Sequence, residues 1–248
     1  MTRTRTNNIL KKFRTGEKAL GVNLTFPSWQ IVDIVGLTGL FDFINLDGEH
    51  GTFSPEEIDI ACSIADGHNL TVTARVADIS NFAINTYLDR GVMGILGPHI
   101  NTAADAKQLV DACRFVPEGQ RSWGGGRGTY YNDDGLLESP NLNREEFIKS
   151  SNKEMLVMAQ LETATAFDNL DSILAVEGID AFAWGSNDLA QSMGLPGQPL
   201  NPKVKGAEKT VEQNIHDAGR VMTFDMFSTA QVNSILLDGL RLFEENNH

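Results

Sequence analysis

A unit that recurs along this chain constrains its fold more than any other feature: an apolar, strand-like run, a polar tip, and a helix that begins at once with a capping residue. Phe41 to Leu46 runs into Asp47, Gly48, Glu49 and His50, and Ser54 with Glu57 then forms a capping box around Pro55 for a helix ending near Gly67. Leu70 to Val76 is rich in β-branched residues, carries Arg75 near its end, and precedes a helix around Ile84, Tyr87 and Leu88 that stops at Gly91. Val92 to Leu96 is tipped by Gly97, Pro98 and His99, and Thr102 caps the helix holding Leu109 and Val110. Before these, a short helix at Asn7 to Arg14 is followed by an alternating run, Ala19 to Phe26, and by a helix from Pro27 through Val35. Met155 to Glu162 and Ile179 to Trp184 repeat the pattern, and Arg220 to Met226 is a seventh strand with Ser228 capping a helix through Leu237. Leu240 to Phe243 reads as an eighth strand with no helix after it.

A repeat of strand and helix at roughly 25 to 35 residues predicts a parallel (β/α)8 TIM barrel in preference to an open doubly wound sheet. The 248 residues suit one such domain spanning 1–248. No GxGxxG turn follows the first strand, which weakens the dinucleotide-binding form of the open-sheet alternative. The repeat breaks once, at Phe115 to Asn152, a long loop-like insertion containing Arg121, Gly124, Gly125, Gly126 and Arg127. A flexible lid is the expected role of its glycines, ahead of an anion-holding nest.

The net charge of -13 argues against nucleic acid or an anionic membrane as partner. The basic cluster from Thr2 to Arg14 is short and belongs with a solvated first helix. No apolar run approaches the roughly 20 residues that span a bilayer, and the N-terminus lacks a signal-peptide core, so the expected location is cytoplasmic. The two cysteines, Cys62 and Cys113, fall inside amphipathic helices and read as buried core residues without a disulfide.

In a parallel barrel the strand C-termini share one mouth, so Asp47, His50, Arg75, His99, Glu162 and Asp188 converge there. Taken singly, each has a plainer explanation: Glu162 and Asp188 as helix caps, Asp47 as an Asx turn at Gly48, His50 bonding local backbone, Arg75 as a rim salt bridge. Asp89, near a helix end, reads as structural, with orientation of Arg75 as its functional alternative, and His99 as packing or bonding around a metal rather than binding it. Taken together, two carboxylates with open positions suit a hard divalent ion, Mg2+, or Mn2+ or Co2+ in a less strict site. Such an ion leaves room for a 2-oxo acid to chelate. Arg75 would then face the enolate oxygen formed when a proton leaves C3, His50 oriented by Asp47 would move protons, and Ser186 with the backbone N–H groups of Asn187 and Asp188 would hold the substrate carboxylate.

The motifs F-D-F-I-N-L-D-G-E-H-G (Phe41 to Gly51), the strand with Arg75, G-P-H-I-N-T-A-A-D-A (Gly97 to Ala106), the turn around Arg121 to Gly126, and L-E-T-A-T-A-F-D-N-L-D-S-I-L-A-V-E-G-I-D with W-G-S-N-D-L-A resemble the HpcH/HpaI aldolase family, the metal-dependent class II pyruvate aldolases. The resemblance runs from about Leu20 to Leu195. It implies a β/α barrel that cleaves 4-hydroxy-2-oxo acids to pyruvate and an aldehyde, with Glu162 and Asp188 as metal ligands, Arg75 facing the keto oxygen, His50 with Asp47 as acid-base pair, Gln160 close to the metal and Asp89 on a subunit-facing side. A homo-oligomer is implied, hexameric by resemblance. Three departures stand out: Ser186 and Asn187 where family members often carry Pro-Ala or Pro-Asn, His99 where a hydrophobic residue is common, and an apparently shortened or missing C-terminal helix, since the chain stops at His248. Two alternatives remain: a citramalyl- or malyl-CoA-type lyase sharing the metal seat, and an inactive barrel serving binding or assembly.

Overall fold

The structure, a computed structural model, describes residues 5–137 and 143–247. The start of the basic cluster, at Thr2, and residues 138–142 of the insertion lie outside the described residues. The strands are β1 (Ala19–Leu24), β2 (Phe43–Asp47), β3 (Thr71–Arg75), β4 (Gly94–Gly97), β5 (Leu156–Leu161), β6 (Ala181–Trp184) and β7 (Phe227–Gln231). The helices are α1 (Asn8–Arg14), α2 (Trp29–Thr38), α3 (Pro55–Gly67), α4 (Asn81–Leu88), α5 (Ala103–Cys113), α6 (Asp134–Leu137) and α7 (Arg144–Glu154). The later ones are α8 (Ala164–Asp168), α9 (Leu170–Leu174), α10 (Ser186–Ser192), α11 (Pro202–Asp217), α12 (Thr223–Met226) and α13 (Val232–Glu245).

The expected repeat holds through β6. The capping box at Ser54 and Glu57 is formed, with Pro55 in the first turn of α3, and Thr102 caps α5 through the amide of Asp105. All strand pairs are parallel, in the order β6-β5-β4-β3-β2-β1-β7. The sheet is curled: Ala183 and Trp184 of β6 and Thr229 and Gln231 of β7 line opposite walls of one cavity of ≈ 330 Å³. Outward-facing Val22, Ile44, Leu46, Val72, Ala74, Ile95 and Val157 are buried beneath the helices. At the strand N-termini, Ile9 and Leu10 of α1 plug the barrel against Ala19, Phe43, Leu156 and Met226. Gly21 makes this end possible, because a Cβ there would meet the Phe43 ring at 2.4 Å.

Closure differs from expectation. Among the described residues seven strands form a half-barrel, not eight, and β6 and the last part of the chain are joined only by an isolated bridge, Phe182 with Met222. The reason is local. Arg220 to Met226 spends only one bridge on the sheet before Asp225 accepts the Met222 amide (2.8 Å) and starts the short α12. The strand register then passes to Phe227–Gln231, which pairs with β1, and Ser228 lies inside that strand and caps no helix. Leu240 to Phe243 is helical and not a strand, and the helix expected to be missing after the last strand is present as α13. The four residues Leu-Arg-Leu-Phe alternate like a strand, but Val232, Ile235, Leu236, Leu240 and Phe243 repeat at helical spacing over the longer window. The Phe115 to Asn152 insertion is likewise not all loop: α7 closes it, and Phe115, Trp123, Tyr130 and Phe147 form a small aromatic cluster under it.

The interior departs from the branched apolar filling of an ordinary TIM barrel. Register places Asn23 beside Asn45, Asn45 beside Thr73, and Asn23 beside Gln231. Thr73 Oγ1 donates to Asn45 Oδ1 (2.8 Å), Asn45 Nδ2 to Asn23 Oδ1 (2.5 Å), and Asn23 Nδ2 to Gln231 Oε1 (2.7 Å). This polar row lies directly beneath the mouth. Both cysteines are free and buried, as the sequence indicates, and among the described residues no helix is long and apolar enough to cross a membrane.

Candidate active site

The mouth is built from strand ends whose inward positions carry the polar groups. On β2, Ile44 and Leu46 face the helices, so Asn45 and Asp47 face the interior, and Asp47 is only 4% exposed. Past it the chain turns tightly: Gly48 donates to the Arg75 carbonyl (2.7 Å), and Asp47 Oδ1 accepts the amides of Glu49 (3.3 Å) and His50 (3.2 Å). This is the Asx turn anticipated as the plain alternative, and the same carboxylate also serves the site. Parallel pairing sets Arg75 beside Asp47, and the guanidinium grips it at both oxygens, Nε to Oδ1 at 3.0 Å and NH2 to Oδ2 at 2.6 Å. Its NH1 lies 3.1 Å from Glu49 Oε2.

Burial pushes the Asp47 carboxyl up, but the hydrogen bonds and charge of Arg75, with the two amides, bring it net below the usual value. Arg75 moves the other way: burial opposes its charge, yet Asp47, Glu49 and Glu162 hold its guanidinium above the ordinary value.

On the far side of the mouth, β5 delivers Gln160 and Glu162, 5% and 1% exposed. Gln160 Nε2 donates to Glu162 Oε2 (2.5 Å), and the His99 amide donates to Glu162 Oε1 (2.9 Å). Burial raises the Glu162 carboxyl above the ordinary range; Glu49 and Asp188 push the same way, while the His99 amide and ring oppose them. Asp188 therefore lies within electrostatic reach of Glu162. It sits in the first turn of α10, directly after Gly185, whose missing side chain is what admits Glu162: a Cβ there would come within 2.3 Å of Oε2 and 2.8 Å of Gln160 Nε2. Gly185→Ala is expected to displace Glu162 with the fold retained and, if Glu162 holds a divalent ion, to weaken its binding by about tenfold; calorimetry on the metal-free variant checks it, and unchanged affinity would refute the crowding.

The structure thus gathers Asp47, Arg75, Gln160, Glu162, His99 and Asp188 at one mouth. Four expectations are corrected. The Asp47 carboxylate does not orient the His50 ring; it takes only that residue's backbone N–H, and His50 is exposed at the rim. The Ser186 hydroxyl is spent on buried Glu208 (2.6 Å), tying α10 to α11, so it does not face substrate. Asp89 lies at the end of α4, against Gly124 and Gly126, where Arg121 and Arg90 act on it and Arg75 does not. The glycine-rich stretch packs there too, Gly128 donating to the Asp89 carbonyl (2.9 Å) and Arg127 pairing with Asp66 (3.2 Å) of α3, so within this chain it is no lid over the mouth.

Glu49 is the residue that sequence reasoning passed over. The signal was available: it stands two positions beyond Asp47 in the D-G-E-H tip, so it can return to the same side of the chain. One ligand atom from each of Glu49, His99 and Glu162 lies within 4.8 Å of the others. Gln160 Oε1 is buried without a hydrogen-bond donor, and buried Glu49 Oε2 has only its ion pair with Arg75. Carboxylates, an imidazole and an orphaned buried oxygen fit a divalent cation.

Among known proteins, the family model HpcH/HpaI aldolase/citrate lyase matches residues 28–241. A 4-hydroxy-2-oxovalerate aldolase of Rhodococcus jostii (strain RHA1) is 29% identical over 215 residues, covering 86% of this chain and 79% of that relative. The crystal structure of an HpcH/HpaI aldolase from Desulfitobacterium hafniense DCB-2 superposes with a TM-score of 0.81 at 26% identity, over 95% of this chain and 96% of that one. A more distant structure, at 14% identity and a TM-score of 0.52 over 90% of this chain and 83% of that one, is a citrate lyase beta subunit from M. tuberculosis complexed with oxaloacetate and magnesium.

Proposed function

The chain belongs to the HpcH/HpaI aldolase/citrate lyase family, whose named relatives are aldolases, carbon-carbon lyases, and from that premise we propose a divalent-metal-dependent cleavage of a 4-hydroxy-2-oxo acid to pyruvate and an aldehyde. A 4-hydroxy-2-oxoheptanedioate or a 2-keto-3-deoxy sugar acid is the class of substrate meant. The observation that carries this reading is the placement of a cation, Asp47-held Arg75, and a buried carboxylate, Gln160-held Glu162, at one strand-end mouth.

In this reading Glu162 and Asp188 hold the ion, Mg2+, Mn2+ or Co2+, which when bound supplies a Lewis acid for the 2-oxo group. The magnesium and oxaloacetate of the M. tuberculosis protein support a 2-oxo acid beside a metal on this fold. Everything else falls to the chain's own groups. Arg75 keeps donors to spare after gripping Asp47 and aims them at the keto oxygen, so its charge meets the oxyanion as it develops. His50, free at the rim, takes the proton of the 4-hydroxyl; the C3–C4 bond breaks, the aldehyde leaves, and the electron pair resides on the enolate oxygen beside Arg75. A proton returned to C3 gives pyruvate, so one substrate yields two products with no other reactant. Gln160 fixes the Glu162 carboxylate, and the amides of Asn187 and Asp188 take the substrate carboxylate. A homo-oligomer, hexameric by resemblance, belongs to the same reading; the exposed Leu236, Leu240 and Phe243 of α13 support association of copies.

Release of pyruvate from a panel of 4-hydroxy-2-oxo acids, followed by NADH oxidation through lactate dehydrogenase, is the test. Pyruvate should appear, stop on chelation and resume on adding Mn2+ or Mg2+. Release indifferent to chelation refutes the metal, and no release from any panel member refutes the reaction.

A further inference from the structure

His99 comes at the end of β4, after Gly97 and Pro98, with its backbone in the left-handed region at φ 53, where a residue bearing Cβ is disfavoured. Two bonds hold it there: its amide donates to Glu162 Oε1 (2.9 Å), and Asn101 Nδ2 donates to its carbonyl (2.9 Å). The pose sends the ring between two carboxylates, Nδ1 3.0 Å from Glu162 Oε1 and Nε2 3.3 Å from Glu49 Oε1. Bonds from imidazole nitrogen or carboxylate oxygen to a transition ion are about 2.0–2.2 Å, so adjacent ligand atoms in tetrahedral or octahedral shells lie roughly 3.0–3.5 Å apart. One ion takes one ring nitrogen: Nδ1, 3.0 Å from Glu162 Oε1, falls in that range, and Glu49 offers a third ligand atom in a set that lies within 4.8 Å of one another.

Two more observations point to a cation. Gln160, 95% buried by its 5% exposure, keeps Oε1 without a donor beside the Glu162 carboxylate that its Nε2 holds. Glu49 Oε2 is buried as well, and its 3.1 Å ion pair with Arg75 NH1 lacks hydrogen-bond geometry. A protonated His99 acting as counter-ion would neutralise charge but leave the Gln160 oxygen orphaned, and it would repel an incoming cation. The His99 ring is half exposed, open to an ion arriving from solvent.

We infer that His99 is itself a ligand of the divalent ion, with Glu49 and Glu162 supplying the neighbouring carboxylates, and that the imidazole biases the site toward Mn2+, Co2+ or Zn2+ over Mg2+. The inference rests on the proposed function for the presence of a metal, not for its ligands.

The experiment is calorimetric titration of the full-length, metal-stripped protein with ZnCl2, CoCl2 and MgCl2, repeated with His99→Asn and Glu49→Gln, together with the visible absorption of the Co2+ form. Asparagine tolerates the left-handed backbone, so His99→Asn keeps the turn; His99→Leu, with circular dichroism to check folding, serves as the second variant. The expected result is that Zn2+ and Co2+ affinity falls at least about tenfold in both His99 variants while Mg2+ affinity changes much less, and that the Co2+ bands shift. Affinity that is unchanged, or that rises because a competing cation has gone, overturns the inference, as does absence of metal binding by the wild type. Metal-dependent pyruvate release with binding indifferent to His99 overturns this inference alone; His99-dependent binding without pyruvate release overturns the reaction alone.

Discussion

Arg75→Met loses about 3 kcal/mol of stability at neutral pH, the ordinary cost of stripping one partner from a buried ion pair, and its pyruvate-forming turnover falls by roughly 10²–10³-fold. Methionine fills the stem of the lost side chain, so little of the loss comes from packing. What remains is Asp47, 4% exposed, without the two guanidinium bonds that kept its charge, and Glu49 without its ion pair. The pH profile gives the cause away. In the wild type Asp47 titrates below 3.8, so the stability it contributes is complete above that value and is lost as pH falls through the depressed one. In the variant only the Glu49 and His50 amides still oppose burial, so the carboxyl rises and the contribution of its charge to stability is lost. The gap between the two proteins is therefore widest near pH 7 and narrows below 3.8, as urea titrations would measure. Adding Asp47→Leu should restore much of the stability and none of the turnover. A constant gap across pH, or restored turnover, contradicts the account.

Glu162→Gln is expected to weaken Mn2+ binding by about 100-fold and to stop detectable pyruvate release. The metal-free variant should gain stability relative to the wild type as pH rises above about 4.5. Burial, with Glu49 and Asp188, raises the Glu162 carboxyl in the folded protein. The unfolded chain thus gives up this proton first, and wild-type stability falls as pH climbs from about 4.5 through the raised value. Glutamine has no such titration. Gln160 can accommodate it by turning its amide, since its unpaired Oε1 can then accept from the new side-chain NH2. Thermal melts in chelator from pH 4.5 to 8 measure this, and a variant that tracks the wild type across that range contradicts the burial of a charge at Glu162.

Much of the barrel is legible in the sequence because its signals are local. The capping box at Ser54, the polar tip after Leu46 and the apolar run ending at Glu162 each occupy a few adjacent residues, and all appear where expected. The same locality explains the gathering of Asp47, Arg75 and Glu162, since strand ends in a parallel sheet must share a side. Features set by distant pairing are not legible. Glu49 joins the site only because the β2–β3 register brings Arg75 NH1 to it and the His99 turn brings an imidazole. Asp89 and the stretch from Gly124 to Arg127 sit at the ends of α3 and α4, which run back from the mouth, and no residue pattern announces that direction. Leu240 to Phe243 is ambiguous for another reason: four residues are too few to separate a period of two from one of 3.6.

The seam between β6 and β7 also sets how the molecule comes apart. β2 to β5 have a paired strand on either side, whereas β7 is held through β1 alone, and α13 rests on the same two strands. Release of β7 with α13 breaks one ladder and exposes little core, since Val232 is the buried residue of that helix. Such a piece opens and recloses with the remainder folded, at a free energy well below that of global unfolding. Amide hydrogens of Phe227 to Gln231 are thus lost to solvent through local opening, while those of Phe43 to Asp47 wait for the whole sheet, and each opening admits water to the Gln231 end of the polar row.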